Sequence, residues 1–407
     1  MSRIINGSKN SPKFIAVDFF CGAGGTSRGL IEAGGHVLAG IDKEGETKET
    51  FEHNNVNPNG SHALFIQKDI FAKDDEYPDG QRHEIIEQLS DLISDASTKF
   101  PGLPLLFSIC APCQPFTGVT RIDLSDERSE ARVRDRGLLS QSLAYIDKFK
   151  PQILFCENVA GIQAEKFGGV WQHFMADIEE RGFILGSDIV DTVNYGIPQS
   201  RKRSIMIAIH KDFLNLQAAA DIISNDRLVL PKEDKEAGRP TVKETLSKFP
   251  PLTAGECHPT IPNHQTSKVQ PINIERLKLA QPGGKNDVYD NTPFALNCHL
   301  KIREKAKADP KARSASGFSD MYTRLSPDRH APTITTKCIS FSNGRYGHYD
   351  PEQLRALSVR EAAALQSFPD DYEFIGKSIT HTARMVGNAV PPKLATFFAN
   401  FALSLKR

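Results

Sequence analysis

Long apolar runs are missing from this 407-residue chain. None approaches the ~20 residues that cross a bilayer. The first residues, Met1-Ser2-Arg3-Ile4-Ile5-Asn6-Gly7-Ser8, carry no hydrophobic core of a secretory leader. Both absences point away from membranes and secretion. Cysteine is scarce, seven residues without a dense framework, which fits a reducing cytoplasm better than a disulfide-stapled scaffold. Apart from the pair Cys110 and Cys113, none of the others (Cys21, Cys156, Cys257, Cys298, Cys338) has a close cysteine neighbour. A zinc site built from two closely spaced ligand pairs is therefore not spelled out. There are no internal repeats and no low-complexity tracts, which argues against solenoids. Net charge is missing too: 50 basic side chains balance 50 acidic ones, against indiscriminate binding to polyanions.

What is present is an ordinary globular composition, 39% hydrophobic and 25% charged. The length suits two domains, or one large α/β domain with an insertion. Charge is unevenly spread, because Tyr195 to Asp350 holds 24 Lys plus Arg against 16 Asp plus Glu. That part is electropositive, as a phosphate-facing surface would be, although a solvated surface can carry the same bias by chance.

The chain is organised around Leu103-Pro104-Leu105-Leu106-Phe107-Ser108-Ile109-Cys110-Ala111-Pro112-Cys113-Gln114-Pro115-Phe116. An apolar run of strand length stops at a proline-bracketed cysteine, and its length and flanking prolines favour a strand. In an open α/β sheet such a strand end opens onto the ligand crevice. Pro112 and Pro115 restrict the backbone around Cys113, so its sulfur is held as a nucleophile would be. Three plainer readings compete at this point: an inert buried thiol, a CxxC redox pair, or half of a zinc site.

Upstream, Phe14 to Phe20 reads as a buried strand that runs into Cys21-Gly22-Ala23-Gly24-Gly25-Thr26 and a helix from Ser27 to Ala33. Strand, glycine loop and helix make the βα unit of nucleotide-type cofactor sites, the glycines letting backbone N–H groups approach the ligand. The strand His36 to Ile41 ends in Asp42, placed for ribose hydroxyls, and Ala63 to Gln67 is followed by Asp69. A glycine loop beside two strand-ending carboxylates describes a cofactor cleft. The loop lacks the last glycine of GxGxxG, which argues against a nicotinamide-dependent oxidoreductase.

A charged helix covers about His83 to Ala96, a polar loop without apolar period runs from Thr117 to Arg134, and Gly137 to Phe149 is helical. Pro151 to Val159 is the fifth strand. Glu157 near its end shares the crevice with Cys113, poised for partial burial and a raised pKa; a loop carboxylate is the plainer alternative. Gly182 to Gly196 is strand-like, and Gln199-Ser200-Arg201-Lys202-Arg203 precedes the strand Ser204 to Ile209. From Asp212 to about Tyr322 the α/β rhythm lapses among prolines and the Gln281-Pro282-Gly283-Gly284 turn. Sheet-like order is expected again over Ala331 to Thr336, a helix over Val359 to Gln366, and a last helix after Gly387-Asn388-Ala389-Val390-Pro391-Pro392. The expected class is α/β, a doubly wound and mostly parallel sheet with a smaller irregular domain.

Pro112-Cys113-Gln114, Glu157-Asn158-Val159, Asp18-Phe19-Phe20-Cys21-Gly22-Ala23-Gly24-Gly25, Gln199-Ser200-Arg201-Lys202-Arg203, Arg360 to Asp370 and Gly387 to Pro392 together resemble the bacterial-type DNA (cytosine-5)-methyltransferases. The resemblance covers nearly the whole chain in the family's order. Thr117 and Ala389 depart mildly, standing where the family commonly has serine. It implies the S-adenosylmethionine-dependent methyltransferase fold, with residues 1–211 as catalytic and cofactor-binding domain, 212–322 as target-recognition domain, and 323–407 as a C-terminal return. It implies a Cys113 thiolate attacking carbon 6 of a flipped-out cytosine, Glu157 at ring nitrogen 3, and Arg201 supporting the base. Gln114, Asn158 and Arg203 complete the catalytic group. S-adenosylmethionine would meet Phe20 and Asp69 at adenine, with Ile70, and Asp42 at ribose. Asp18, Gly22, Gly24, Gly25, Pro112, Asn388 and Val390 would complete its site. Thr117 to Arg134 would be a closing lid. Duplex DNA is the implied partner of a cytoplasmic monomer that requires no metal; a cognate restriction endonuclease is left open. A tRNA cytosine-5 methyltransferase of the same fold family and a non-catalytic DNA-binding protein are the remaining alternatives.

Overall fold

The computed structural model describes residues 11–113, 116, 134–135, 137–297, 300–301, 304 and 320–407. They fall into two compact units: one within Met1–Tyr195, Lys202–Glu236 and Ala389–Arg407, the other within Gly196–Arg201 and Ala237–Asn388.

The first unit alternates β1 (Phe14–Phe19), α1 (Gly25–Glu32), β2 (Gly35–Asp42), α2 (Lys48–Asn54), β3 (Leu64–Gln67), α3 (Arg82–Lys99), β4 (Leu105–Ile109), α4 (Leu138–Phe149), β5 (Ile153–Val159), α5 (Val170–Glu180), β6 (Phe183–Asp191) and β7 (Lys202–His210). The seven strands lie in the order β3-β2-β1-β4-β5-β7-β6. The first five pair in parallel, and β7 runs antiparallel to both its neighbours. Continuous apolar runs explain the arrangement: every residue of β1 and of β4 is buried, as strands covered on both faces require. From β1 the chain works outward to β2 and β3, then returns to place β4 on β1's other side. The carboxyl ends of β1 and β4 therefore flank a topological switch point, where open α/β sheets bind ligands.

The C-terminal helix Pro392–Ser404 packs on α1 through Gly29. A Cβ there would lie 2.3 Å from the Pro392 carbonyl oxygen, so a larger residue would force the helices apart. Thr396 Oγ1 donates to the Gly29 carbonyl at 2.9 Å across the same contact. Residues 212–236 also stay with the sheet, so the division falls after Glu236 rather than at 212. Leu214 bridges to Lys406, the Tyr195 hydroxyl donates to the Pro231 carbonyl at 2.7 Å, and Lys232 pairs with Asp188.

The second unit is poor in regular structure; its helices include Val242–Leu246, Pro271–Leu279, Val359–Leu365 and Ile379–Asn388. Fully buried arginines hold its irregular backbone. Arg324 donates to the carbonyls of Leu277, His348, Asp350, Pro351 and Gln353. Arg360 donates to those of Pro262, Pro369 and Tyr372. Carbonyls that a strand partner would satisfy are met by guanidinium groups instead. Burial pushes the Arg324 pKa down to about 10, so it stays a cation at neutral pH. Burial alone would raise the Glu361 carboxyl. Bidentate bonds from Arg355, both 2.7 Å, and the nearby His348 instead hold it well below the usual carboxylate range. The sheet-like order expected over 331–336 does not form: Ala331 makes a single bridge to Gln199 and the rest is irregular. Pro332 brings no N–H, and the Ile334 N–H is taken by the Gln199 side chain at 2.6 Å rather than by a strand.

Candidate active and cofactor site

The glycine loop leaves β1 through Phe20, whose backbone is left-handed (φ 62) and whose N–H donates to the Ile41 carbonyl at 2.8 Å. A bulky residue held there is strained, a condition that clusters at functional sites. Gly22 (φ +49) and Gly24 (φ 88) are left-handed too, and Gly25 opens α1. A Cβ on Gly22 would meet nothing within 4 Å, so conformation rather than space calls for glycine. The loop is clamped by Asp42 at the end of β2. Its Oδ2 accepts the Gly22 N–H at 2.9 Å and its Oδ1 the Glu44 N–H at 2.9 Å. Burial raises the Asp42 pKa against the pull of those two bonds.

Beneath the loop, Asp18 is fully buried on β1. Ser27 Oγ donates to its Oδ2 at 2.8 Å, while Oδ1 has no aligned donor among the described residues. Burial lifts the carboxyl to a pKa of about 6, opposed by the Ser27 and Ser108 hydroxyls. Asp69 follows β3, with Oδ1 accepting the Phe71 N–H at 3.2 Å and Oδ2 paired with Arg134. Ile70 is buried, and its carbonyl accepts from the Tyr145 hydroxyl at 3.0 Å. A left-handed glycine loop with open space at Gly22, the Asp42 carboxylate bonded to it, the Asp69 carboxylate after β3, and a half-buried Phe20 fit a cationic adenosine-bearing cofactor such as S-adenosylmethionine.

The strands β4 and β5 run side by side in parallel with Ile109 opposite Cys156. The Cys113 loop and Glu157, near the end of β5, consequently lie at the carboxyl ends of neighbouring strands. Asn158, fully buried, spans the two: its Nδ2 donates to the Ala111 carbonyl at 3.0 Å and its Oδ1 accepts the Val159 N–H at 2.9 Å. Pro112 and Cys113 are half-buried. Gln114 and residues 117–133 of the polar loop lie outside the described residues. Glu157 is 7% exposed, and Arg203 Nε lies 2.7 Å from its Oε1, an ion pair without the alignment of a hydrogen bond. In the β5–β7 register Val159 faces Arg203 and Glu157 faces Ile205, so Glu157 and Arg203 are diagonal neighbours on one face.

Both cysteines of the CxxC are half-buried. Burial, reinforced by the negative charges of Glu157 and Asp18, pushes the Cys110 thiol well above its ordinary value. It packs against the hydroxyls of Ser108 at 3.6 Å and Thr26 at 3.9 Å. That shift disfavours the Cys110 thiolate, and Cys113 follows three residues on in the same loop.

The Gln199-to-Arg203 motif is divided between the units. In the second unit Arg201 Nη1 donates to the carbonyls of Ile334 at 2.9 Å and Gly387 at 3.3 Å. Gln199 Nε2 donates to Gln366 Oε1 at 2.7 Å, and Gln366 Nε2 to the Val386 carbonyl at 2.7 Å. Gly387 permits the close packing, since a Cβ would come within 2.3 Å of Thr335 and Thr336 backbone atoms. Asn388 is exposed at the end of its helix there, whereas Val390 is buried in the first unit. The first unit therefore gathers Asp18, Phe20, Gly22, Gly24, Gly25, Asp42, Asp69, Ile70, Pro112, Cys113, Glu157, Asn158, Arg203 and Val390; Arg201 and Asn388 belong to the second.

Sequence reasoning passed over Ser27 and Arg134. Ser27 had a signal, a hydroxyl directly after the glycine loop; Arg134, in an aperiodic loop, had none. Among the described residues no cluster of His, Cys, Asp and Glu could hold a metal ion, and no helix is long and apolar enough to cross a membrane.

The family model for C-5 cytosine-specific DNA methylases matches residues 14–402. The Type II methylase M.HgiDII of Herpetosiphon aurantiacus is 30% identical over 401 residues, 96% of this chain and 94% of its own. The Type II methyltransferase M1.HphI of Haemophilus parahaemolyticus is 28% identical over 390 residues, 96% of this chain and 86% of its own. Among solved structures, a prophage-encoded Escherichia coli chain put forward as a DNA modification methyltransferase superposes with a TM-score of 0.56 at 20% identity. That match covers 96% of this chain and 99% of the other, and it speaks for the fold alone.

Proposed function

This chain belongs to the C-5 cytosine-specific DNA methylase family, and we propose that Cys113 is its covalent nucleophile and Glu157 the acid that activates the base. The enzyme is a DNA (cytosine-5)-methyltransferase. Carbon 5 of cytosine is a poor nucleophile, and the stacked duplex hides it, so the target base must be flipped out. Attack of the Cys113 thiolate on carbon 6, while Glu157 hydrogen-bonds or protonates ring nitrogen 3, makes carbon 5 enamine-like. S-adenosylmethionine, when bound, supplies an electrophilic sulfonium methyl group. Loss of the carbon-5 proton then allows β-elimination, which releases Cys113. Asn158 fixes the Cys113 loop to β5 through Ala111, and Arg203 holds the Glu157 carboxylate in place. Asp42 orders the glycine loop and would take the ribose hydroxyls; Phe20 and Asp69 would take adenine.

The observation that carries this reading is the parallel β4–β5 pair, which has the Cys113 loop and the Arg203-paired Glu157 at its carboxyl end. The Type II names of the two relatives support a modification enzyme of a restriction system. We assign choice of DNA sequence to the second unit, whose part of the chain carries the Lys/Arg excess. Incubation with methyl-labelled S-adenosylmethionine tests the substrate: duplex DNA should take up label and tRNA should not. Label in tRNA alone would overturn the reading.

A further inference from the structure

Arg134 has no part in the chemistry above, yet its guanidinium is held from several sides. Its Nη2 pairs with Asp69 Oδ2 at 2.5 Å. Its Cζ lies 4.8 Å from the Phe71 ring centroid and 5.4 Å from that of Tyr77, and those two rings sit 4.0 Å apart. A lone exposed ion pair would matter little, but this one is mostly shielded: the Asp69 side chain is 14% exposed and that of Arg134 34%. A guanidinium lodged beside two aromatic rings is already partly ordered, so less freedom is lost in making each hydrogen bond.

Asp69 is gripped at both oxygens, Oδ2 by Arg134 and Oδ1 by the Phe71 N–H at 3.2 Å, and Phe71 also carries one of the stacked rings. A carboxylate has about four acceptor directions, so two remain, and their aim is set by these contacts. We propose that Arg134 is a positioning residue of the adenine subsite, orienting Asp69 so that its remaining lone pairs accept from the exocyclic amine of the cofactor. The proposal rests on the placement of Asp69 at adenine given above. Arg134 touches no reacting atom; it acts through Asp69, with the Phe71 and Tyr77 rings beside its own guanidinium.

Calorimetric binding to the full chain tests this without turnover. The two ligands are S-adenosylhomocysteine and its inosine analogue, which has a carbonyl oxygen in place of the 6-amino group. Arg134→Gln should weaken S-adenosylhomocysteine by roughly 10- to 100-fold, the scale of a hydrogen bond to a charged group. The inosine analogue should bind the variant as it binds the native chain, which also shows that the variant is folded. Arg134→Lys should fall between, keeping charge but losing the planar guanidinium. In an Asp69→Asn background, Arg134→Gln should cost nothing further. If Asp69→Asn weakens S-adenosylhomocysteine while Arg134→Gln does not, or if Arg134→Gln weakens both ligands equally, the positioning role is overturned. If Asp69→Asn leaves binding intact, the adenine assignment itself falls, and the proposal with it.

Discussion

Arg203 Nε stands 2.7 Å from Glu157 Oε1, diagonally across the antiparallel pairing of β5 and β7, with both side chains 9% exposed. Such a pair is costly to break, because removing either partner leaves an uncompensated buried charge. It holds the Glu157 carboxylate in one place.

Glu157→Gln keeps the shape but removes the charge and the acidity. Turnover should fall by roughly 100- to 10,000-fold, the range for loss of a general acid. Binding of S-adenosylhomocysteine should stay within about twofold of native, since the proposed cofactor contacts are Asp42 and Asp69. Steady-state kinetics and calorimetry check the two halves, and unchanged turnover removes Glu157 from the mechanism.

Asp18 makes a pH-dependent prediction. Its folded pKa of about 6 lies above the ordinary 3.8, so between those values the folded chain binds more protons than the unfolded one. The contribution to stability is therefore present below about pH 4 and lost as pH rises through 6, by up to about 3 kcal/mol. Asp18→Asn still accepts from Ser27 and escapes that loss. Without cofactor, the variant should melt with the native chain near pH 4 and progressively above it by pH 7, while binding S-adenosylhomocysteine more weakly. A melting difference that does not grow with pH contradicts the assignment.

The second unit should depend on its buried charges. Glu361→Gln leaves Arg355 buried without its counter-ion and should destabilise by about 3–5 kcal/mol in denaturant titration. Adding Arg355→Met should restore part of that loss. A neutral Glu361→Gln would mean that the surrounding carbonyls suffice.

These arginines also mark where the sequence stops being readable. β1, β4 and β5 were legible because strands buried on both faces read as mostly apolar runs, and the prolines around Cys113 and the carboxylates closing β2 and following β3 have fixed places along the chain. A guanidinium satisfying five carbonyls, as Arg324 does, has no period and leaves no pattern. The same holds for the division of the Gln199-to-Arg203 motif between the units, and for Arg134 on its two rings. Residues 212–236 lack regular periodicity yet belong to the first compact unit.

Sequence choice should move with the second unit. Exchanging residues 237–322 for the equivalent segment of a relative with different specificity should change the methylated sequence. Contacts to base edges, each worth about 1–3 kcal/mol, carry that discrimination. Sequencing of methylated cytosines in host DNA reads the outcome; an active chimaera that keeps the original site would place recognition elsewhere.

The most direct test of the mechanism uses a duplex with 5-fluorocytosine at the target position, where fluorine cannot leave as the carbon-5 proton does. With S-adenosylmethionine present, the native chain should form a covalent protein–DNA adduct that withstands denaturation and whose DNA-linked peptide contains Cys113. Cys113→Ala should bind the same duplex and form none. An adduct that persists in Cys113→Ala, or one mapped to a different residue in the native chain, would contradict the assignment of Cys113 as the nucleophile.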